Sequence, residues 1–230
     1  MLTIIFPTRP GTHDVVLETP AGELARCTVH VPDTQAAEAP LVLVLHYGGE
    51  PSGFYGRPLL EMLATAPWRE LGAVLIAPVA AGGDWSLPRN TELALDLLQA
   101  AQDHYATAPT KRVVLGYSMG AMGVWHLLSR VPNLFAAAVP LAGPPPPMLP
   151  PMLPPLVLRT PVHAINSRAD RLFPAQETAA VIATLAAGGA PAQVTLLDGI
   201  DHHAFGAFAP SLAQLLPWLN SCWSAAEPPA

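Results

Sequence analysis

The feature that most constrains the fold of this chain is the alternation of short apolar runs with longer helical patterns. Six runs are continuously apolar, as in strands covered on both faces, and they occupy residues 41–49, 73–80, 112–118, 136–143, 161–167 and 193–199. Apolar residues at helical spacing lie between or after them, at 91–105, 121–130, 175–189 and 211–223. This alternation predicts an α/β fold, with a mainly parallel central sheet and helices on both faces.

Local signals refine the ends of these elements. Thr91 stands where the first predicted helix begins, and a threonine there indicates an N-cap. Gly188 and Gly189 end the third predicted helix, where glycine is a common stop. The segment 22–32 alternates partly between polar and apolar residues, so it predicts an additional antiparallel strand at the edge of the sheet.

One segment interrupts the pattern, the proline-rich stretch 143–161 (GPPPPMLPPMLPPLVLRTP). Proline lacks a backbone N–H, so an extended connection is expected here. We interpret it as a stiff loop rather than a ligand for a proline-recognising domain, because predicted strands lie on both sides. We therefore expect a single domain over residues 1–223, without a separate cap domain, and a frayed tail over 224–230.

Composition narrows the class of protein further. A chain of 230 residues suits one domain with a sizeable core. The formal charge of -6, from 11 basic and 17 acidic residues, argues against nucleic-acid binding. No signal-peptide pattern opens the chain, and no apolar run approaches the roughly 18 residues of a membrane span. We therefore expect a soluble cytoplasmic protein, and its oligomeric state stays open. The two cysteines, Cys27 and Cys222, lie far apart in the sequence and do not have the spacing of metal ligands.

The sharpest chemical signal is the stretch Gly116-Tyr117-Ser118-Met119-Gly120, which fits the pattern G-x-S-x-G. It follows a predicted strand and opens a predicted helix, which is the context of a nucleophile elbow. A serine on so tight a turn holds its hydroxyl out above the edge of the sheet. The next N–H, that of Met119, begins the helix and points toward an incoming oxyanion.

A serine hydroxyl is a weak nucleophile until a base takes its proton. In this architecture an acid and then a histidine are expected on loops after later strands. Asp170 follows the predicted strand 161–167 and is the leading candidate for the acid. Asp198 and Asp201 are rivals, but they share a loop with the candidate histidines. A short loop rarely folds back to orient its own imidazole.

The base is expected after the last predicted strand, where His202 and His203 stand side by side. The other histidines fit this role less well, because three precede the serine, one lies in a predicted helix, one lies in a predicted strand, and His46 belongs to another motif. The residues alone leave the choice between His202 and His203 open.

A second oxyanion donor is expected from the loop after an earlier strand. His46-Tyr47-Gly48-Gly49 occupies that place, and its glycines allow backbone N–H groups to approach a substrate. We expect the Gly48 N–H to be the donor, with the Tyr47 N–H as the alternative, and we assign His46 a structural role in bracing the loop.

Four motifs in this order resemble the α/β-hydrolase superfamily, over nearly the whole chain. They are LHYGG for the oxyanion loop, GYSMGAMG for the nucleophile, SRADRLFP for the acid and DGIDHHAFGAF for the base. The chain is similar to small, lidless serine esterases of the carboxylesterase/phospholipase and dienelactone-hydrolase types. Tyr47 departs from the glycine usual at its position in the family, and the proline-rich stretch stands where a helix or lid often lies.

The proline-rich stretch in place of a lid argues against lipase-like interfacial activation and suggests an open pocket for small or soluble esters. The resemblance also implies that the base follows a glycine in a G-x-x-H pattern, which selects His202, three residues after Gly199. The side chain of His203 is then expected to point elsewhere, because adjacent side chains on an extended or turning backbone diverge.

These motifs predict hydrolysis of a small carboxylic ester through an acyl-enzyme, without a cofactor or a metal. Ser118 attacks, His202 takes its proton and Asp170 orients the imidazole.

The same residues also suit a thioesterase, a peptidase or an acyltransferase. Two further alternatives are a non-catalytic binding protein of the same fold and a metal-dependent hydrolase that uses the histidine pair. The latter is disfavoured because adjacent histidines seldom chelate one metal together.

Overall fold

A single eight-stranded sheet forms the centre of the computed structural model, which describes residues 4–19, 21–34, 38–145 and 158–226. Its strands follow the order β1-β2-β4-β3-β5-β6-β7-β8. Only β1 with β2 and β2 with β4 pair antiparallel, and the five other pairs are parallel. The strands are β1 Gly11–Glu18, β2 Leu24–Val31, β3 Leu41–Leu45, β4 Val74–Pro78, β5 Arg112–Tyr117, β6 Ala137–Leu141, β7 Val162–Ser167 and β8 Ala192–Leu197.

Helices connect the parallel strands. The α-helices of the described residues are α1 Arg57–Leu59, α2 Pro88–Tyr105, α3 Met119–Arg130, α4 Ala175–Ala187, α5 Ala209–Ala213 and α6 Leu216–Ala226. A π-helical segment, Leu60–Thr65, continues α1 directly. Short 3-10 turns occur at Arg69–Leu71, Ala81–Gly83, Pro109–Lys111 and Phe205–Phe208. None of the helices in these described ranges is long and apolar enough to cross a membrane.

The two faces of the sheet carry separate hydrophobic cores. Along β3, Leu41, Leu43 and Leu45 face one core, and Val42 and Val44 face the other. The first core packs against α2, α3 and α4, and the second packs against α1, its π-helical continuation, α5 and α6. The predicted fold class is therefore confirmed, with a mainly parallel sheet, helices on both faces, and no separate cap domain among the described residues.

The six predicted parallel strands all form, but the edge of the sheet differs from the prediction. The segment 24–31 is antiparallel as expected, yet it lies second from the edge. The edge itself is β1, which the sequence pattern missed because only Leu17 of its eight residues is buried. A strand with so little buried surface has no apolar run, so the pattern of apolar residues in the sequence does not predict it.

Two helix ends also correct the sequence-based expectation. Helix α2 begins at Pro88, not at Thr91, and the Thr91 hydroxyl donates to the carbonyl of Trp85 at 3.1 Å inside the first turn. Proline suits this position because the first N–H of a helix has no intrahelical acceptor. The predicted helix 211–223 is divided into α5 and α6, and Pro217 lies in the first turn of α6, where its missing N–H is tolerated.

Part of the expected proline-rich connection, residues 146–157, lies outside the described residues. The last helix reaches Ala226 and so includes the first three residues of the segment 224–230 that is expected to fray. Residues 227–230 lie outside the described range.

Candidate active site

Ser118 occupies a strained turn between β5 and α3. Its φ of 57° and ψ of -116° are unusual for any residue with a side chain, and such a conformation costs about 1–3 kcal/mol. The Ser118 N–H donates to the carbonyl of Leu141 at 2.9 Å, which ties the turn to the end of β6. This is the sharp strand-to-helix turn that the motif predicts.

Two glycines make the turn possible by leaving room for backbone. A Cβ built on Gly116 would lie 2.1 Å from the carbonyl oxygen of Gly120. A Cβ on Gly120 would lie 2.0 Å from the carbonyl oxygen of Leu45, at the end of β3. Neither contact is sterically possible, so both positions require glycine for close packing of backbone on backbone.

Three of the predicted site residues form one hydrogen-bonded chain. The Nε2 of His202 lies 3.0 Å from the Oγ of Ser118, and the Nδ1 of His202 lies 2.7 Å from the Oδ2 of Asp170. All three residues are buried. Ser118 ends β5, Asp170 follows β7 and His202 follows β8, so the carboxyl ends of three parallel strands bring them to one edge of the sheet.

Asp170 is held by its own loop as well as by the imidazole. Its Oδ1 accepts the N–H groups of Leu172 and Phe173 at 2.8 and 2.9 Å, which leaves Oδ2 for His202. The Asp170 side chain is fully shielded from solvent, so its orientation is fixed by these three donors.

The rival acids and the second histidine point elsewhere. Asp198 is exposed and pairs with Arg168 at 3.0 Å. Asp201 is also exposed and accepts the backbone N–H of His203 at 3.0 Å. The ring of His203 is exposed and stands nearly perpendicular to that of His202, with 5.6 Å between the ring centroids. The geometry therefore groups His202, and not its neighbour, with Ser118 and Asp170.

The two expected oxyanion donors, Gly48 and Met119, lie on the loop after β3 and at the start of α3. A Cβ built on Gly48 would be 3.4 Å from the Cβ of Met119, so the loop after β3 touches the first residue of α3. In the described turns, loops and caps, the N–H groups of Gly48, Met119 and Tyr47 donate to no backbone carbonyl. The choice of the Gly48 N–H over the Tyr47 N–H as the second donor stays a prediction.

His46 braces this loop. Its Nδ1 lies 2.7 Å from the carbonyl oxygen of Tyr47, and its Nε2 accepts the N–H of Ala80 at 3.0 Å. Its own carbonyl accepts the indole N–H of Trp85 at 2.9 Å. Burial lowers the pKa of His46 to about 4, because charging the ring in this environment is unfavourable. The neutral, fully bonded ring fits the structural role expected for it.

Aromatic side chains adjoin the oxyanion and base loops. The rings of Tyr47 and Tyr55 are 5.1 Å apart, those of Tyr47 and Phe205 are 5.4 Å apart, and all three residues are half-buried. Trp85, which precedes α2, is buried in the core.

Two residues of the site escaped sequence reasoning. The hydroxyl of Tyr117 donates to the carbonyl of His202 at 2.5 Å. The Oγ of Ser167 accepts the N–H groups of Ala169 and Ile200, both at 3.2 Å, and so joins the acid loop to the base loop. Tyr117 stands in the variable position of the elbow motif, and nothing near it in the sequence signals a contact 85 residues away.

In the described ranges, no three or more histidine, cysteine, aspartate or glutamate side chains are grouped so that they could hold a metal ion.

The strand order, the serine on its elbow, and the acid and histidine after later strands define an α/β-hydrolase fold. More narrowly, the chain belongs to the dienelactone hydrolase family, whose model matches residues 81–214, more than half of its length. The resemblance read from the four motifs is thus confirmed, and family membership makes the protein a hydrolase.

Individual proteins add detail to this assignment. A bifunctional acetylxylan esterase/xylanase of Neocallimastix patriciarum is 30% identical over 122 residues, which are 50% of this chain but only 17% of that protein. A fluorophosphonate-binding serine hydrolase of Staphylococcus aureus shares the fold at 15% identity, with a TM-score of 0.75 over 92% of this chain and 98% of that one. An S-formylglutathione hydrolase of Agrobacterium tumefaciens is 17% identical, with a TM-score of 0.71 over 96% of this chain and 99% of that one.

Proposed function

We propose that the protein is a serine esterase that hydrolyses small carboxylic esters through an acyl-enzyme, with Ser118 as nucleophile, His202 as general base and Asp170 as the group that orients the imidazole. The observation that carries the proposal is the hydrogen-bonded chain of 3.0 and 2.7 Å that joins these three side chains. In such an arrangement a nucleophile, a base and an orienting carboxylate stand in their working order.

The reaction follows from this geometry. The Oγ of Ser118 attacks the ester carbonyl carbon while its proton passes to Nε2 of His202. The carbonyl oxygen becomes an oxyanion, which the N–H groups of Met119 and Gly48 stabilise. When the C–O bond to the alcohol breaks, Nε2 returns the proton to the leaving oxygen. Water then attacks the acyl carbon and loses a proton to the same nitrogen. The bond from the acyl carbon to Oγ breaks as Nε2 passes that proton to Oγ, which releases the carboxylic acid and restores Ser118.

The carboxylate makes this proton transfer favourable. Asp170 holds Nδ1 as the protonated nitrogen, so Nε2 presents a lone pair to Ser118. When Nε2 gains the proton, the adjacent carboxylate stabilises the imidazolium. Because Asp170 is shielded from solvent, this interaction is stronger than it would be in water.

The expected substrate is a small oxygen ester. Support comes from the matching relative, which is named an acetylxylan esterase/xylanase, and from the half-buried aromatic rings of Tyr47, Tyr55 and Phe205 beside the oxyanion and base loops. Uncharged rings of this kind suit contact with apolar parts of a substrate.

Turnover of matched oxygen esters, thioesters and amides tests the proposal, with wild type compared to the variants Ser118→Ala and Ser129→Ala. We expect short-chain oxygen esters to be cleaved fastest, and EDTA to leave the rate unchanged. Ser118→Ala should reduce turnover by about a millionfold, as in other serine triads. Ser129, whose hydroxyl donates to the carbonyl of His126 within α3, provides a matched serine control. Near wild-type turnover by Ser118→Ala, or activity restored by zinc after EDTA, would refute the proposed mechanism.

A further inference from the structure

We infer that Tyr117 is a positioning residue, whose hydroxyl holds the carbonyl of His202 and thereby sets the distance between the imidazole and Ser118. The inference rests on the proposed function, because it assigns Tyr117 a role only through the base histidine. Tyr117 precedes Ser118 directly and ends β5, so it ties the loop of the base to the strand of the nucleophile.

The contact is short and well shielded. The hydroxyl donates to the carbonyl oxygen of His202 at 2.5 Å, and Tyr117 is only 2% exposed. The ring also packs against that of His202, with 5.6 Å between centroids, and edge-on against that of Phe208, with 5.4 Å between centroids. Tyr117 thus contacts His202 in two ways. Its ring packs against the imidazole, and its hydroxyl holds the backbone carbonyl in place.

The base loop needs such an anchor because much of it is exposed. Asp201, His203 and Ala204 are exposed on both sides of the buried His202. Before His202, the Oγ of Ser167 receives the N–H of Ile200 at 3.2 Å. The Tyr117 hydroxyl therefore acts at the histidine itself, where a displacement changes the contact of Nε2 with Ser118.

The phenol remains a donor over the working pH range. Burial raises the pKa of Tyr117, with smaller contributions in the same direction from the charges of Asp170 and Asp201. A phenolate would lack the proton that the His202 carbonyl accepts. The hydrogen bond is therefore expected to persist at neutral and mildly alkaline pH.

The chain offers a matched control in Tyr105. Its hydroxyl donates to the carbonyl of Pro7 at 2.6 Å, also from a buried ring and also across a long stretch of sequence. Tyr117→Phe and Tyr105→Phe each remove one buried hydroxyl from a carbonyl. A general loss of stability should affect both variants alike, whereas a loss of positioning should affect only Tyr117→Phe.

The experiment measures the rate of Ser118 labelling by a fluorophosphonate probe, kcat and KM on a short oxygen ester, and the melting temperature of each variant. We expect Tyr117→Phe to lower kcat and the labelling rate by up to about a hundredfold, the scale of a 1 Å misplacement, with KM unchanged. Tyr105→Phe should keep the wild-type kcat at a comparable melting temperature. Tyr117→4-aminophenylalanine, which restores an N–H donor, should recover most of the lost rate.

Labelling and kcat of Tyr117→Phe within twofold of wild type would overturn the inference, as would equal losses in Tyr117→Phe and Tyr105→Phe. If Tyr117→Phe does not fold, the 4-aminophenylalanine variant still decides, because a folded form with a hundredfold lower rate would contradict a role based on donation. Failure of the proposed function itself is distinguishable, since it would appear as wild-type turnover in Ser118→Ala.

Discussion

At the scale of single residues, two neighbouring histidines separate into different environments. The ring of His202 is buried between Ser118 and Asp170, and the ring of His203 is exposed. Each histidine therefore serves as a control for the other. Alanine at 202 removes the proposed base, and alanine at 203 removes an exposed ring.

We expect His202→Ala nearly to abolish labelling of Ser118 by a fluorophosphonate probe, because the hydroxyl loses the group that accepts its proton. His203→Ala should reduce the labelling rate only slightly. Labelling rates measured side by side on the two folded variants check this, and the reverse order would transfer the base to His203.

A second residue-scale prediction concerns the acid. Asp170→Asn keeps the shape of the side chain but removes the charge that stabilises the imidazolium and fixes its tautomer. We expect turnover to fall on the order of ten-thousandfold, as in a related triad. Asp198→Asn is the matched control, because that carboxylate is exposed and pairs with Arg168, away from His202. A larger loss in Asp198→Asn than in Asp170→Asn would show that the acid is misassigned.

Sequence reasoning finds some of these residues and misses others for a physical reason. Ser118 is recognisable because the turn requires Gly116 and Gly120 at fixed spacing, which is a local constraint. Tyr117 and Ser167 act through hydrogen bonds to residues 85 and 33 positions away. Such contacts arise only when strands become neighbours in the sheet, so no local pattern encodes them.

At the scale of secondary structure elements, the elbow depends on how closely β5, α3 and β3 approach one another. Gly120 is the contact point between α3 and the end of β3. We expect Gly120→Ala to destabilise the fold by about 3 kcal/mol or more, because its Cβ cannot be accommodated without moving backbone. Chemical denaturation measures the free energy of unfolding of each variant.

Gly189→Ala is the control for this prediction. Gly189 has a φ of +91°, but a Cβ there would meet nothing within 4 Å. Alanine in a left-handed conformation costs about 1–2 kcal/mol, so this variant reports conformational strain without a clash. If Gly120→Ala were no more damaging than Gly189→Ala, close packing at the elbow would not be essential.

The sequence pattern predicts some of the strands and helix ends but not others. Strands β3 to β7 are predictable because they lie inside the sheet, and their mostly buried residues read as apolar runs. Strand β8 forms the opposite edge of the sheet and is half-buried, but it still carries a short apolar run. Strand β1 is not predictable, because it lies at the sheet edge and buries only Leu17. The break between α5 and α6 is equally hidden, since the apolar spacing continues through Gln214 and Leu215.

At the scale of the whole molecule, two neutral histidines, the buried His46 and the half-buried His163, link stability to pH. Burial lowers the pKa of both His46 and His163 from 6.5 to about 4. Above pH 6.5 both the folded and the unfolded chain carry these rings neutral, so they do not affect stability. Between about pH 6.5 and 4 the unfolded chain binds protons that the folded chain does not, so the free energy of unfolding falls as the pH falls.

We therefore expect urea denaturation to show decreasing stability from pH 7 to pH 4, with about 3 kcal/mol of the decrease due to the fully buried His46. His46→Gln should flatten the pH dependence, since a glutamine does not titrate, and His163→Gln should flatten it independently. Identical slopes in the wild type and both variants would contradict neutral burial of these rings.

We propose that this fold presents one activated serine, Ser118, and covalent labelling of the whole protein tests this proposal. Wild-type protein is treated with a fluorophosphonate probe, digested, and its modified peptide is mapped by mass spectrometry. We expect a single adduct on Ser118, and no adduct on the folded Ser118→Ala variant. Modification of a different residue, or labelling of Ser118→Ala at the wild-type rate, would contradict it.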